Sequence, residues 1–256
     1  MPVGGKSQKR ADRIRLDRLL VDRELAESGE QARAMIMAGL VDLPDRRQSR
    51  PTAGLRVHED ELVRVKERPR YVSRGGDKLA HALDVFGVDP AGLTALDIGA
   101  STGGFTDCML QRGVARVYAV DVGRGQLHNR LLTEDRVVSM ERVNARMGFD
   151  LPERVEVITV DVSFISLRLV LPPVLAHLQE DGVVIALLKP QFEAGPEKIG
   201  KGGVVRDPVI HAETIGQFIH WATAERLRVV DLTTSPILGD KGNREFFFLL
   251  GESSTA

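Results

Sequence analysis

From residue 94 onward, short apolar runs alternate with longer stretches whose apolar positions recur every three or four residues. The runs are TALDI, RVYAV, VEVITV, VVIALL, LRVVDL and EFFFLL. They are nearly continuous and rich in β-branched or aromatic residues, as in strands covered on both faces. FTDCMLQRG and PVIHAETIGQFIHWATAERL, lying between them, have helical spacing. This alternation predicts an α/β fold, a doubly wound, Rossmann-like and mostly parallel sheet with right-handed crossovers. Ligands of such sheets bind beyond the carboxyl ends of the strands, where strand order reverses.

The N-terminal pattern is different. Ile14, Leu16, Leu19 and Leu20 fall near helical spacing within RIRLDRLLVDREL. In SGEQARAMIMAGLV, Ser28 with Gln31 forms a capping-box pattern, Ala32, Met35 and Ile36 supply an apolar stripe, and Gly39 marks a stop. LRV and ELVRVKE read as short strands. A small α+β domain over residues 1–66 is therefore expected, with a linker at 67–73 inside ERPRYVSRGG and the main body at 74–256.

Composition narrows the class. Of 256 residues, 43% are apolar and 28% charged, ordinary for a soluble globular protein. No apolar run approaches the ~20 residues that span a bilayer. The opening MPVGGKSQKR is basic but leads into no apolar stretch, unlike a secretory signal. A single cysteine, Cys108, fits a reducing compartment, and a cytoplasmic protein is expected. The six histidines are scattered without metal-ligand spacing, so no metal site is expected. Cys108, His211 and Trp221 are assigned to packing. The net charge of −1 hides an asymmetry: residues 1–70 carry sixteen Lys/Arg against twelve Asp/Glu, the remainder nineteen against twenty-four. A basic end on an acidic body suggests an arm for a polyanion, with Arg13 and Arg15 as candidate contacts.

The first strand of the body runs into ALDIGASTGGFTD, residues 95–107. Its glycines let backbone approach a ligand at the next helix N-terminus. A dinucleotide loop would need glycine where Ser101 stands, and a P-loop would need lysine at Phe105. Asp97 at the strand end also disfavours a phosphate. An acid there suits a cationic ligand, and S-adenosylmethionine carries an ammonium and a sulfonium. Asp121, ending the next strand, is placed to accept bonds from both ribose hydroxyls. The expected cofactor contacts are Asp97, Gly99, Ala100, Ser101, Thr102, Gly103, Gly104, Phe105, Asp121 and Val122, with Asp161 beyond them.

Four charges fall near one edge of the predicted sheet. Asp161 ends VEVITV, within DVSF; Lys189 ends the apolar run Val183–Leu188; Glu245 opens the last strand in GNREFFFLL; Lys78 lies in SRGGDKLAHAL. Each alone reads equally well as a solvated strand-end charge, and Lys189 could simply snorkel. Two cations and two anions at these positions point to a site. Enzymes that methylate exocyclic amines carry prolines in the turn occupied here by Asp161-Val162-Ser163-Phe164, and this turn has none.

Lys–Asp–Lys–Glu in this order resembles the catalytic tetrad of FtsJ-type ribose 2′-O-methyltransferases. The runs VSRGGDKL, DIGASTGGFTD, AVDVGRGQL, ERVNAR, DVSFISL, LLKPQFE, GGVVRD and GNREFFF resemble the TlyA, or haemolysin A-type, family and cover the body from Val72 to Leu250. The resemblance implies a class I methyltransferase domain behind a ribosomal-protein-type RNA-binding domain. It implies methyl transfer from S-adenosylmethionine to a ribose 2′-hydroxyl of ribosomal RNA, a cytidine within ribosomal subunits. It further implies that Lys78, Asp161, Lys189 and Glu245 carry the chemistry, that Asn144 and Ala145 lie near the adenosine, and that Arg142 and Arg146 face RNA. Arg74 is a further candidate RNA contact. In the N-terminal domain Gly29 follows the capping serine where the family has arginine, and VDLPDRRQSRP replaces its usual turn. Lys189 is left as either a neutral base or a cation that stabilises the oxygen. The glycine-rich segment 193–208 suggests a mobile lid. A membrane-damaging protein would need a spanning or lytic segment, which is missing here; a non-catalytic RNA-binding module would leave four charges and a cofactor loop without purpose. A methyltransferase acting on another structured RNA stays open.

Overall fold

The computed structural model describes residues 13–46, 51–66 and 69–252. The basic opening, part of VDLPDRRQSRP and the first residues of the predicted linker lie outside the described residues. The chain divides into two compact units, Met1–Arg68 and Pro69–Ala256.

The first unit runs β1 (Arg13–Arg15), α1 (Leu16–Asp22), α2 (Gly29–Met37), β2 (Val41–Asp42), β3 (Arg56–His58) and β4 (Arg64–Val65). β1 pairs with β3 and β2 with β4, both antiparallel. Leu16, Leu20, Ala32, Ile36 and Val57 close a small core. Ser28 Oγ accepts from Gln31 N at 3.2 Å, but Gln31 Oε1 reaches back to Glu27 N rather than to the cap itself. The helix expected from Ile14 starts at Leu16. Ile14 pairs with Val57 in a strand, its exposed arginine neighbours alternating with it at the period of two that a strand requires.

The second unit opens with α3 (Arg74–Phe86) and β5 (Thr94–Ile98), then α4 (Gly104–Gln111), β6 (Arg116–Asp121), α5 (Asn129–Leu132) and β7 (Val137–Glu141). It continues with β8 (Val155–Val160), α6 (Leu167–Leu175), β9 (Leu178–Leu188), α7 (Pro190–Glu193), α8 (Pro208–Ala224), β10 (Leu227–Thr234) and β11 (Phe246–Glu252). Seven strands form one sheet in the order β10-β11-β9-β8-β5-β6-β7, and β11 runs against both of its neighbours while the rest are parallel. The chain builds outward from β5 to β7, then returns to place β8 on the other flank of β5. Strand order therefore reverses between β5 and β8. Helices cover both faces. Leu79, Met109 and Phe247 belong to one core layer, and Leu171, Phe218 and Phe248 to the other. Adjacent phenylalanines of β11 thus serve opposite faces.

Three boundaries differ from the sequence reading. Tyr71 is 2% exposed and Val72 N donates to Asp107 Oδ2 at 2.8 Å, so the tail of the expected linker is already part of the second unit. β7 was not expected; as an edge strand it has no fully buried residue, and its sequence, VVSME, lacks the continuous apolar signature. β9 begins at Leu178, five residues before the apolar run.

Candidate active site

The loop after β5 passes hard against the end of β8. Gly99 has φ +82°, and a Cβ there would overlap the carbonyl oxygen of Asp161. Only glycine brings the two segments this close. α3 and α4 both begin beside this loop. Arg74, Gly75, Gly104 and Phe105 from their first turns, with Ala100 and Thr102, line a cavity of about 280 Å³ that also touches Gly99, Ser101, Lys78 and Asp161. The N–H groups of a helix's first turn favour a negatively charged group in such a place.

Two of the expected cofactor contacts do not reach any of these cavities. Asp97 is fully buried beneath the loop, its Oδ2 accepting from Thr106 Oγ1 at 2.6 Å and its Oδ1 from Thr159 Oγ1 at 2.9 Å. Burial pushes its carboxyl up to about 6, against the two threonine hydroxyls, which pull it down. It braces α4 and β8 around the loop rather than facing a ligand. Gly103, with φ +92°, also turns away: a Cβ would strike Leu131 of α5. Its glycine serves packing.

On the other side of the loop lies a second cavity, of about 510 Å³, lined among others by Asp121, Val122, Asn144 and Ala145. Asp121 Oδ2 accepts from Ser101 N at 2.8 Å and Oδ1 from Gly123 N at 2.6 Å. Each carboxylate oxygen keeps a further lone pair for a ligand hydroxyl.

A third cavity, of about 400 Å³, holds the four charges. Lys78 Nζ lies 2.6 Å from Glu245 Oε2, with side chains 11% and 3% exposed. Lys189 Nζ lies 2.6 Å from Asp161 Oδ1. Its aligned hydrogen bond goes to Ser163 Oγ at 2.9 Å, so the contact with Asp161 is an ion pair rather than a well-directed bond. The Lys189 side chain is 11% exposed and does not snorkel. Asp161 lines all three cavities, Lys78 the first and third, and Ser163 and Phe164 the second and third.

The structure adds residues that pattern alone did not mark. Ser163 holds Lys189. Phe164, with φ +65° and 90% exposed, stands over Phe192 with ring centroids 5.1 Å apart. Asn243, 2% exposed, accepts from Val205 N at 3.0 Å and donates to Gly203 O at 2.9 Å. That clamp, with His211 Nε2 3.0 Å from Val205 O, ties down the segment expected as a free lid. A buried side chain in a polar loop has no periodicity to betray it.

The candidate RNA contacts scatter. Arg13 is exposed in the first unit. Arg15 forks onto Asp17, at 3.0 and 2.7 Å, and holds that buried carboxyl below its ordinary range. It is engaged within its own unit. In the second unit Arg142 is exposed, Arg146 lines the Asp121 cavity, and Arg74 lines the cavity at the two helix N-termini. Cys108 is fully buried, and Trp221 packs on Phe218. Among the described residues no helix is long and apolar enough to cross a membrane.

The chain is similar to known proteins along most of its length. Residues 71–252 match the model of the FtsJ-like methyltransferases. The chain is 48% identical to a candidate rRNA methyltransferase, YqxC, of Bacillus subtilis, over 92% of this chain and 85% of that one. It is 41% identical to the 16S/23S rRNA (cytidine-2′-O)-methyltransferase TlyA of Mycobacterium tuberculosis, over 94% and 90%. A solved structure from Streptococcus thermophilus, described as a candidate hemolysin, superposes with a TM-score of 0.71 at 42% identity, covering 95% of this chain and 90% of that one. The chain belongs to the FtsJ-like methyltransferase family. It is an S-adenosylmethionine-dependent enzyme with a class I methyltransferase fold.

Proposed function

We propose that this FtsJ-like enzyme methylates a ribose 2′-hydroxyl of ribosomal RNA, with a cytidine as acceptor, in the cytoplasm where ribosomal subunits are found. The observation that carries the reading is the position of Asp161 at the junction of three cavities, beside Lys189. The residues present fit the cofactor. Asp121 would hold the ribose, Asn144 and Ala145 would flank the adenine, and the helix N-termini at Arg74 and Gly104 would receive the carboxylate. When bound, S-adenosylmethionine supplies an electrophilic methyl group on its sulfonium.

The chain's own groups supply the rest. A ribose hydroxyl is a weak nucleophile at neutral pH and needs a partner for its proton or its charge. Lys189 donates to Ser163 and is paired in charge with Asp161, and its ammonium has N–H groups left for an oxygen in the acceptor cavity. That donor meets negative charge as it develops on the ribose oxygen, where a fixed dipole or charge contributes most, and the hydroxyl proton is released to water as the oxygen takes the methyl group. Lys78 and Glu245 wall the same cavity as a neutralised pair and keep the acceptor in line. The first unit, with its excess of basic residues, serves as the RNA-binding domain in this reading, and Arg142 and Arg146 supply RNA contacts of the second unit. TlyA of M. tuberculosis, named as acting on cytidine 2′-hydroxyls, supports the choice of acceptor.

The test is transfer of radiolabelled methyl groups to intact subunits and to free ribosomal RNA, with mapping of the product. Label on a cytidine ribose supports the reading, and label on a base or on another class of RNA alone contradicts it.

A further inference from the structure

Lys189 and Asp161 are carried by two segments that leave the sheet side by side, and the segments are laced together by side chains. One rung is the Lys189 contact with Asp161 and Ser163. The next is Phe192 against Phe164. The third is Glu193, at the end of the single turn α7 that follows Lys189. Its Oε1 accepts from Leu167 N at 2.6 Å and its Oε2 from Ser166 Oγ at 2.6 Å. Arg168 Nε stands 3.4 Å from the same Oε2 and Nη2 donates to the Glu193 carbonyl at 3.3 Å. The Glu193 side chain is 3% exposed.

A carboxylate sealed from water is costly unless donors surround it. Glu193 has one backbone N–H, one hydroxyl and one guanidinium around it at the N-terminus of α6, and these pull its carboxyl down, although burial outweighs them and pushes it up. It touches none of the three cavities. What it joins is the segment immediately after Lys189 to the segment immediately after Asp161. Beside it, α7 meets the 161–166 turn through Lys189 itself and through Phe192, half-buried against the exposed Phe164.

We infer that Glu193 is a positioning residue for methyl transfer: by bracing α7 against Ser166 and Leu167 it fixes the register in which Lys189 faces Asp161 and the acceptor oxygen. The inference rests on the ribose-methylation reading above. Misplacement of a reacting group by about an ångström costs on the order of a hundredfold in rate, and the loss belongs to kcat because ground-state binding does not use the brace.

The experiment compares Glu193→Ala, Glu193→Gln and Ser166→Ala with wild type in steady-state methylation of ribosomal subunits, alongside calorimetric S-adenosylmethionine binding and thermal melting of the full chain. Glu193→Ala should lower kcat tenfold to a hundredfold with KM for the subunit and cofactor affinity within about twofold of wild type. Glu193→Gln keeps the acceptor for Leu167 N, but its amide N–H2 replaces the oxygen that accepts from Ser166 Oγ and faces Arg168 Nε, so the variant should fall between wild type and Glu193→Ala. Ser166→Ala removes the Glu193 contact together with the hydroxyl that caps α6 by accepting from Arg168 N at 3.2 Å, and should show a smaller kcat loss with some loss of melting temperature. Gln as damaging as Ala would overturn the brace in favour of a role for the charge itself. A Glu193→Ala variant that binds cofactor and keeps its kcat would overturn it as well, as would losses in cofactor affinity that match the losses in rate. Wild-type enzyme inactive on ribosomal RNA in the same assay would instead remove the reading on which the inference rests.

Discussion

Lys78 and Glu245, 167 residues apart in sequence, meet at 2.6 Å with both side chains almost sealed from solvent. Lys189 and Asp161 are separated by the same distance, yet the Asp161 side chain is 23% exposed at the junction of the cavities. The two pairs therefore respond differently to mutation. Removing one partner of a buried pair leaves an uncompensated charge and costs about 3–5 kcal/mol. Lys78→Met should destabilise the protein by an amount in that range, and the double variant Lys78→Met, Glu245→Gln should recover most of it. Urea unfolding of the two variants checks this; equal instability of single and double would contradict the pairing.

Asp121 offers the cofactor a carboxylate that the loop has already oriented through Ser101 and Gly123. Hydrogen bonds to a charged acceptor are worth about 1.5–3 kcal/mol. Asp121→Ala should weaken S-adenosylmethionine binding by roughly tenfold to a hundredfold, as measured by calorimetry. Unchanged affinity would move the ribose elsewhere.

Asp97 carries a pH dependence whose sign follows from its environment. Its carboxyl titrates near 3.8 when unburied and at about 6 in the folded protein. The folded state thus holds the proton more tightly. The corresponding stability is present below about 3.8 and lost as pH rises through about 6, a difference on the order of 3 kcal/mol at 1.36 kcal/mol per unit. Asp97→Asn lacks this titration. Its stability relative to wild type should improve by a kcal/mol or more between pH 4 and pH 7.5, and a gap that ignores pH would show that Asp97 titrates normally.

The arginines should separate by function. Arg146→Ala should reduce the salt dependence of RNA binding by about one ion and leave melting unchanged, as expected for a phosphate contact. Arg15→Ala removes the fork that neutralises buried Asp17 and should destabilise the first unit. A normal melting profile for Arg15→Ala would return that residue to the RNA face.

Much of the sheet was legible because parallel strands buried on both faces leave continuous apolar runs; β5 and β8 coincide with TALDI and VEVITV residue for residue. β7 was not, since an exposed edge strand needs no such run. β1 was hidden because Ile14 falls at helical spacing from the leucines of α1 while belonging to a ladder with β3. At the site, the chain order of Lys78, Asp161, Lys189 and Glu245 placed four charges at one edge, and they do converge. Which way a strand-end acid points is a different matter. Asp121 is the last residue of β6, whereas Asp97 lies inside β5 opposite Ala119 and turns under the loop to Thr106 and Thr159 while Asp121 faces the cavity. Ser163, Asn243 and Glu193 were unmarked because their partners are distant segments or loop backbone, which no local period records.

In the proposed mechanism Lys189 acts on the acceptor oxygen. Single-turnover methylation of ribosomal subunits by Lys189→Ala, with S-adenosylmethionine and RNA affinities measured on the same preparation, tests it most directly. Interactions made only in the transition state appear in the rate and not in binding. Transfer should fall by at least a thousandfold while both affinities stay within about threefold of wild type; methyl transfer within a few-fold of wild type by the folded variant would leave Lys189 no part in the chemistry.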